Sequence, residues 1–200
     1  MIQAARAAFS AHGFHGTGVA QIAQASGIAV GQIYRDFANK EAIVAAIVER
    51  DLEEYLHESG LCAAGATGDP EAVRQWIRTF VACEKKPDTG RLVAEIMAES
   101  SRNERVAEIT RNLQQQLRRE LTAALQLLVP VNTDPEQLDQ VAEMIHTIST
   151  GVFHRRVIDP EDPGPAVIDT LMACINASID QLRPPSGEKR PAVRTLTAAP

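Results

Sequence analysis

Five side chains between residues 17 and 40 carry hydrogen-bond donors of different kinds. A hydroxyl, an amide, a phenol, a guanidinium and an ammonium group are carried by Thr17, Gln32, Tyr34, Arg35 and Lys40. Such groups suit phosphate oxygens and the edges of bases. The amide of Gln32 could pair bidentately with adenine, and Arg35 could reach guanine or a phosphate. Alternatively, Gln32 is an ordinary exposed polar residue of a helix.

Catalytic and metal chemistry find little support in the sequence. The 200 residues contain no phosphate-binding loop, nucleophile elbow or HExxH pair. Glu95 and Glu99 are four residues apart; a catalytic pair or a cation-binding wall is possible, but a solvated face is the simpler interpretation. His146 and His154 are eight apart, a poor helical spacing for shared metal ligation. We therefore expect no enzyme, no metal site and no cofactor.

The cysteine pattern fits a reducing compartment, and the apolar runs are too short for a membrane span. Cys62, Cys83 and Cys174 are odd in number and never form a CxxC pair, so they predict neither a disulfide framework nor a zinc site. No apolar run reaches the roughly 18 residues of a membrane span. The N-terminus also lacks the basic, then apolar, then small-residue segments of a signal peptide. We expect a soluble, cytoplasmic protein with no membrane partner.

Composition and apolar periodicity predict an all-α protein. Only eight residues are aromatic, and helix formers dominate. Apolar residues recur at helical spacing along most of the chain, which predicts nine helices. Three short ones end at Gly13, Gly27 and Phe37, and six follow. The side chains that could cap helix N-termini are Thr17, Asn39, Asp69, Asn103 and Asp134.

Stretches rich in glycine, proline and acidic residues separate the predicted helices. We expect loops at residues 60–68, 85–90 and 159–165, with only a short helix around 92–97. The Pro-rich polar stretch 184–200 supports no packed structure, so we expect a disordered tail there. The sequence contains no internal repeat.

The short helices at 17–26 and 30–37 have helix-turn-helix spacing. They are joined by Gly27-Ile28-Ala29, and Gly27 can adopt the positive φ that a tight turn requires. In such a unit the second helix enters the major groove of DNA, and the first lies across the backbone. Because any pair of short amphipathic helices could show this pattern, the spacing alone leaves a purely structural alternative open.

Taken together, the N-terminal residues closely resemble the signature of the TetR family of transcriptional regulators. The resemblance covers residues 1–56 through Phe9, Gly13-Phe14, Thr17, Val19, Ile22-Ala23, Ala25, Gly27-Ile28, Gly31, Ile33-Tyr34, Phe37 and Lys40-Glu41. Residues 92–99, with Arg102-Asn103, are similar to C-terminal domains of that family. The resemblance implies an all-helical homodimer that binds a palindromic operator in double-stranded DNA, usually as a repressor released by a small molecule.

The same resemblance implies roles for individual residues. Thr17, Tyr34 and Lys40 match positions that typically contact phosphates. Gly31 would let the backbone approach DNA closely, and Val30 could touch a thymine methyl group. The predicted DNA-binding set is Thr17, Val30, Gly31, Gln32, Tyr34, Arg35 and Lys40.

Several positions depart from the family pattern. Ala29 stands where a Ser or Thr N-cap is usual, Val30 where a Lys or another polar residue is common, and Asp36 where a His is frequent. The basic arm often found upstream of the first helix is not in this sequence, so we expect either a trimmed start or binding with less backbone electrostatics. Ala29, Val30, Asp36 and the low basic content favour an alternative, a ligand receptor or interaction module of the same fold with weak or lost DNA binding.

An effector site is expected among the rear helices. An apolar set with a few polar side chains could line it: Trp76, Phe80, Glu95, Ile96, Met97, Leu113, Leu117, His146 and Phe153. For any single residue, ordinary core is the simpler interpretation. We hypothesise that an effector tilts the fourth helix and thereby changes the spacing of two recognition helices.

The last two helices carry more apolar residues than one stripe needs. Pairing with their twofold mates would form a four-helix bundle, with Cys174 as a small buried side chain. The predicted dimer interface comprises Ile145, Ile148, Val152, Ile168, Leu171, Met172, Ile175 and Ile179.

The charge is unevenly distributed along the chain. We divide the chain into a DNA-binding domain at 1–48, an effector-binding and dimerisation domain at 49–183 and the tail. Their net charges are +1, −9 and +2, within a total of −6. The acidic total therefore does not exclude a nucleic-acid partner, but the low basic charge predicts salt-sensitive binding.

Overall fold

The computed structural model describes residues 1–58, 69–83 and 87–182, with side-chain detail for 1–51, 69–83 and 90–182. These residues form nine helices and no strand, so the all-α prediction is confirmed for this part of the chain. The loop predicted at 60–68 and the tail predicted at 184–200 lie outside the described residues. In order, the helices are α1 Ile2–Gly16, α2 Val19–Ser26, α3 Val30–Asp36, α4 Lys40–Glu58, α5 Pro70–Ala82, α6 Pro87–Ser100, α7 Glu104–Gln126, α8 Pro135–Ile158 and α9 Pro165–Gln181.

Local capping determines where four of these helices begin. At the starts of α4, α5, α7 and α8, a side-chain oxygen accepts a hydrogen bond from a backbone N–H of the first turn. In α5 and α8 a proline follows the cap, at a position where the helix has no use for an N–H. These caps confirm the predictions for Asn39, Asp69, Asn103 and Asp134.

Helix α6 is longer than the sequence pattern predicts. It begins at Pro87, so the loop predicted at 85–90 is wrong for residues 87–90. Gly90 lies inside the helix, where an added Cβ would stand 3.5 Å from Val157 of α8. Burial of Leu92 and Ile96 on the inner face offsets the helix cost of a glycine.

Two clusters of buried side chains organise the molecule. The front cluster joins α1–α4 to α6 and the start of α7 through Leu92, Ile96 and Val106. The rear cluster joins α5, α8, α9 and the second half of α7. Because α1 packs on α6 and α4 packs on α7, the rest of the chain holds the front helices from two sides.

Most residues predicted for a dimer interface lie inside this chain's own rear cluster. Six are buried there, namely Ile145, Val152, Ile168, Met172, Ile175 and Ile179, so the prediction is wrong for them. Ile148 and Leu171 are half-buried against the same cluster. The physical reason is that α8 and α9 pack on each other and on α5, which uses the apolar stripes within one chain.

The outer surface of α8 and α9 carries different side chains. Cys174, predicted to be buried, is exposed on this chain. Ile158 at the end of α8 is 77% exposed and Val167 at the start of α9 is 43% exposed.

Candidate nucleic-acid interface

The turn between α2 and α3 has the geometry that its sequence predicts. Gly27 ends α2 with φ 68° and ψ 17°, in the left-handed region. The backbone N–H of Ile28 donates to the carbonyl of Ala23 over 3.2 Å, which closes the helix end. Ile22, Ala23 and Ile33 are buried between the two helices. The pair therefore forms a helix-turn-helix, with α3 as the recognition helix.

The outer face of α3, defined by Val30, Gly31, Tyr34 and Arg35, is exposed. Val30 and Tyr34 are four residues apart and 40% and 56% exposed. Apart from its chain neighbours and the backbone of α3, no atom of the described residues lies within 4 Å of where a Cβ on Gly31 would stand, so internal packing does not require a glycine. An apolar pair beside a bare stretch of backbone suits contact with another surface.

Gln32 lies at the centre of a small polar network on α3. Its amide nitrogen donates to both carboxylate oxygens of Asp36, each over 3.1 Å. Its amide oxygen accepts a hydrogen bond from the guanidinium of Arg35. The amide that could pair with adenine is therefore satisfied within the chain, and it must exchange these partners to bind a base. From the sequence, Asp36 is only a departure from the family pattern, and its contact with Gln32 is not predicted, although the four-residue spacing is visible.

Thr17 has a different role from the predicted one. Its side chain is fully buried, and its hydroxyl donates to the carbonyls of Ala8 and Gly13 over 3.0 and 2.8 Å. The cap position of α2 belongs to Gly18, whose N–H donates to the side chain of Gln21 over 2.7 Å. Because Gly13 breaks α1 with φ 71°, the chain turns Thr17 inward. The N-cap prediction is wrong, and the hydroxyl is not available to a phosphate.

Lys40, at the start of α4, binds the place where α1 meets α2, here called the corner. Its ammonium donates to the carbonyls of Phe14 and Thr17 over 2.8 and 3.1 Å, and it lies 4.4 Å from the centre of the Phe14 ring. Two of its three N–H groups are thus used inside the chain. The third can donate to a phosphate, so a structural and a binding role are compatible.

The start of α3 lacks a side-chain cap. Ala29 occupies the N-cap position and makes no capping hydrogen bond. The departure from the family pattern therefore has a structural consequence, because a first-turn N–H that a Ser or Thr would satisfy stays without that partner.

The residues predicted for an effector site fall into both clusters. Trp76 and Phe80 stack with ring centres 5.7 Å apart in the rear cluster, and Leu117 packs against it. Ile96 and Leu113 belong to the front cluster, and Met97 is 40% exposed. Phe153 and His146 are half-buried on α8. The predicted set therefore does not converge on one cavity.

Two polar groups in the rear helices stand out. The indole Nε1–H of Trp76 is buried and has no hydrogen-bond partner within the described residues. Burial lowers the pKa of His146 below its ordinary value. The positive charge of Arg118 also lowers this pKa, whereas the negative charge of Glu143 raises it. The imidazole is therefore neutral near pH 7 and can both donate and accept a hydrogen bond.

Glu99 joins α6 to the corner. It is only 2% exposed, so the solvated face predicted for Glu95 and Glu99 is wrong for it. Its carboxylate accepts hydrogen bonds from Arg102 over 2.9 Å and Asn103 over 3.3 Å, and pairs with His15 over 3.0 Å. Burial raises the pKa of Glu99, but these partners outweigh burial and hold the pKa below its ordinary value.

Comparisons with known proteins match both parts of the chain. Residues 1–47 match the model of the bacterial regulatory proteins of the tetR family, and residues 69–184 match the C-terminal model of BetI-type transcriptional repressors. The chain belongs to the TetR family. It therefore has the fold of a DNA-binding transcription regulator, in a family of regulators and not of enzymes.

Individual relatives agree with this assignment. The HTH-type transcriptional regulator UidR of Escherichia coli K12 is 33% identical over 113 residues, 56% of each chain, so the match spans about half the length of that curated relative. Salmonella enterica GusR has a similar fold, with a TM-score of 0.69 at 23% identity over 90% of this chain and 93% of that one. A putative transcriptional regulator from Pseudomonas aeruginosa PAO1 has a TM-score of 0.70 at 19% identity over 90% and 87%.

Among the described residues, no helix is both long and apolar enough to cross a membrane. No three His, Cys, Asp or Glu side chains there come together as a possible metal site.

Proposed function

We propose that the protein is a ligand-responsive repressor that binds a palindromic operator as a homodimer. The observation that carries the proposal is the exposed outer face of α3, where Val30 and Tyr34 flank the bare backbone of Gly31. None of these side chains is needed by the small core between α2 and α3. A surface of this kind on a recognition helix fits the major groove.

The proposed contacts divide into two kinds. Val30, Gly31 and Gln32 face base edges, and Gln32 reads a base once it leaves Asp36. Tyr34, Arg35 and the remaining N–H of Lys40 contact phosphates. Thr17 is not part of the proposed interface, because its hydroxyl is used inside the corner.

Two copies of the chain are proposed to meet through the outer surfaces of α8 and α9. Cys174 and Val167 are exposed on α9, and Gly151 is exposed on α8 with open space around it. Small side chains allow helices to approach closely, and a twofold axis would pair like with like. Residues 1–48 then form the DNA-binding domain and 49–183 the effector-binding and dimerisation domain.

An effector is proposed to enter the rear cluster near Trp76 and Phe80. The indole N–H of Trp76 is buried and finds no partner in the part of the chain that the structure describes, which costs free energy that a ligand acceptor would recover. His146, Leu117 and Phe153 lie on the adjoining helices α7 and α8.

A second candidate is a receptor of the same fold with weak or lost DNA binding. It is favoured by the uncapped start of α3 at Ala29 and by Asp36, which holds Gln32 and adds an acid beside DNA.

A mobility-shift assay with the DNA upstream of the protein's own gene separates the two candidates. We expect a shift that Gln32→Ala and Tyr34→Phe both weaken, with Glu161→Gln on the α8–α9 loop as a matched surface control. A shift that is the same for all these variants would show that α3 is not the reading surface, and no shift at low salt would favour the receptor.

A further inference from the structure

An open groove of about 590 Å³ runs between α4 and α7, beside the end of α3. Its floor is apolar and small on the α4 side, with Ala42, Ala45 and Ala46, and larger on the α7 side, with Ile109 and Leu113. Ligand sites typically occupy about 300–1,000 Å³. The groove is therefore large enough for a small organic molecule, and it lies outside the rear cluster.

The rim of the groove is acidic. It carries four carboxylates and a single guanidinium, from Asp36, Glu41, Glu49, Glu108 and Arg105. Glu49 and Glu108 form no ion pair within the described residues, whereas carboxylates elsewhere commonly face an arginine, as Asp139 faces Arg118. An apolar floor beside unpaired carboxylates favours a positively charged occupant and disfavours an anion.

One wall of the groove contains Asp36, which contacts Gln32, the residue proposed to read a base. Asp36 lines the groove next to Phe37, and its carboxylate accepts both hydrogen bonds from the amide of Gln32. A cation in the groove would compete with that amide for Asp36. The occupancy of the groove and the state of Gln32 are therefore linked through one side chain.

We propose that the groove binds a lipophilic organic cation. Its apolar body lies on the alanine floor, its charge pairs with Glu49 and Glu108, and it draws Asp36 away from Gln32. The proposal extends the effector response of the proposed function, but ligand binding and the state of Gln32 are both measured without DNA. Failure of one proposal is therefore distinguishable from failure of the other.

Two ions of the same shape and opposite charge test the charge preference. Calorimetric titration of the full chain with tetraphenylphosphonium is expected to show saturable binding, with tetraphenylborate at least about tenfold weaker. Equal binding of the two ions would mean that apolar contact alone drives association, and it would overturn the proposal. Absence of saturable binding by the cation would overturn it as well.

Paired variants locate the site. Glu49→Gln combined with Glu108→Gln is expected to weaken cation binding by about tenfold or more. Glu120→Gln combined with Glu161→Gln removes the same charge outside the groove and should leave binding unchanged. Equal losses in the two double variants would contradict the site, because net charge would then explain both. Ala45→Phe, which fills the floor, should abolish binding in a chain whose circular dichroism is unchanged.

The link to α3 has its own readout. In a ¹⁵N-labelled chain, the side-chain amide resonances of Gln32, assigned by their loss in Gln32→Ala, should shift on addition of the cation. They should not shift in the Glu49→Gln, Glu108→Gln variant. Unchanged Gln32 resonances at saturating cation would contradict the role given to Asp36.

Discussion

The corner where α1 meets α2 and the outer face of α3 use their polar and small residues in opposite ways. In the corner, Thr17 and Lys40 donate to backbone carbonyls of the chain itself. On the outer face, Gly31 and Tyr34 contribute little to internal packing. A Cβ on Gly31 would meet open space, and Tyr34 is 56% exposed. Both regions match the same family signature, but the corner keeps only the third N–H of Lys40 for a partner, whereas the outer face is exposed.

A match to a family motif therefore does not distinguish positions that build the DNA-binding unit from positions that contact DNA. A substitution in the corner should lower the free energy of unfolding and the operator affinity together. A substitution on the outer face should change affinity without such a loss of stability. The free energy of unfolding and the operator affinity, measured on the same variant, therefore distinguish the two kinds of position.

Removal of the Thr17 hydroxyl has the largest expected effect. Thr17→Val leaves the carbonyls of Ala8 and Gly13 without this donor, and we expect a loss of about 1–3 kcal/mol in the free energy of unfolding. Urea denaturation measures it. Thr17→Ser keeps the hydroxyl and is the control, and equal stability of the Val and Ser variants would mean that the buried hydrogen bonds contribute nothing.

Lys40→Met should have a somewhat smaller effect. It keeps the apolar stem over Phe14 but removes the donors to the carbonyls of Phe14 and Thr17. Because Lys40 is half-buried and water replaces part of the loss, we expect about 1 kcal/mol of destabilisation. Urea denaturation beside Lys40→Arg, which keeps a charged donor, is the comparison. A Met variant that is as stable as the parent chain but binds operator poorly would mean that Lys40 contributes to DNA contact and not to the stability of the corner.

Addition of a cap to α3 should act in the opposite direction. Ala29→Ser supplies the missing acceptor for a first-turn N–H, and we expect about 0.5–1 kcal/mol of added stability. Thermal unfolding beside Ala29→Val, which cannot cap, measures it. If the Ser and Val variants unfold at the same temperature, the uncapped start carries no cost.

The smallest expected effect in the corner is a pH dependence through Glu99. Its pKa is held below the ordinary value of 4.5, so it contributes stability above that pH and loses it as pH falls through the lowered pKa. Unfolding experiments between pH 6 and about pH 3 should therefore show a shallower loss of stability in Glu99→Gln than in the parent chain. An identical dependence of stability on pH in the two chains would mean that Glu99 does not contribute to it.

Local features of the sequence predicted most of the fold. The caps at Asn39, Asp69, Asn103 and Asp134 and the turn at Gly27 depend on neighbouring residues alone, and they are confirmed. Periodicity also showed which face of α8 and α9 is apolar. Periodicity cannot show what that face packs against, and most of the predicted dimer interface lies in the intrachain core.

The candidate site was predictable to a smaller extent for the same reason. The inward turn of Thr17 depends on the break of α1 at Gly13, and the burial of Glu99 depends on α6 meeting α1. Both are contacts between elements distant in sequence, which no spacing rule contains. The Gln32–Asp36 pair, by contrast, lies within one helix and needed only the four-residue spacing.

The Gly31→Ala variant tests most directly the claim that the outer face of α3 is free of the fold and serves DNA. Replacing a helical glycine whose Cβ would meet open space should raise the free energy of unfolding by about 0.5–1 kcal/mol. The same methyl group should lower operator affinity by about tenfold, because it blocks close approach of the backbone. A more stable variant that binds operator as well as the parent chain would contradict the account.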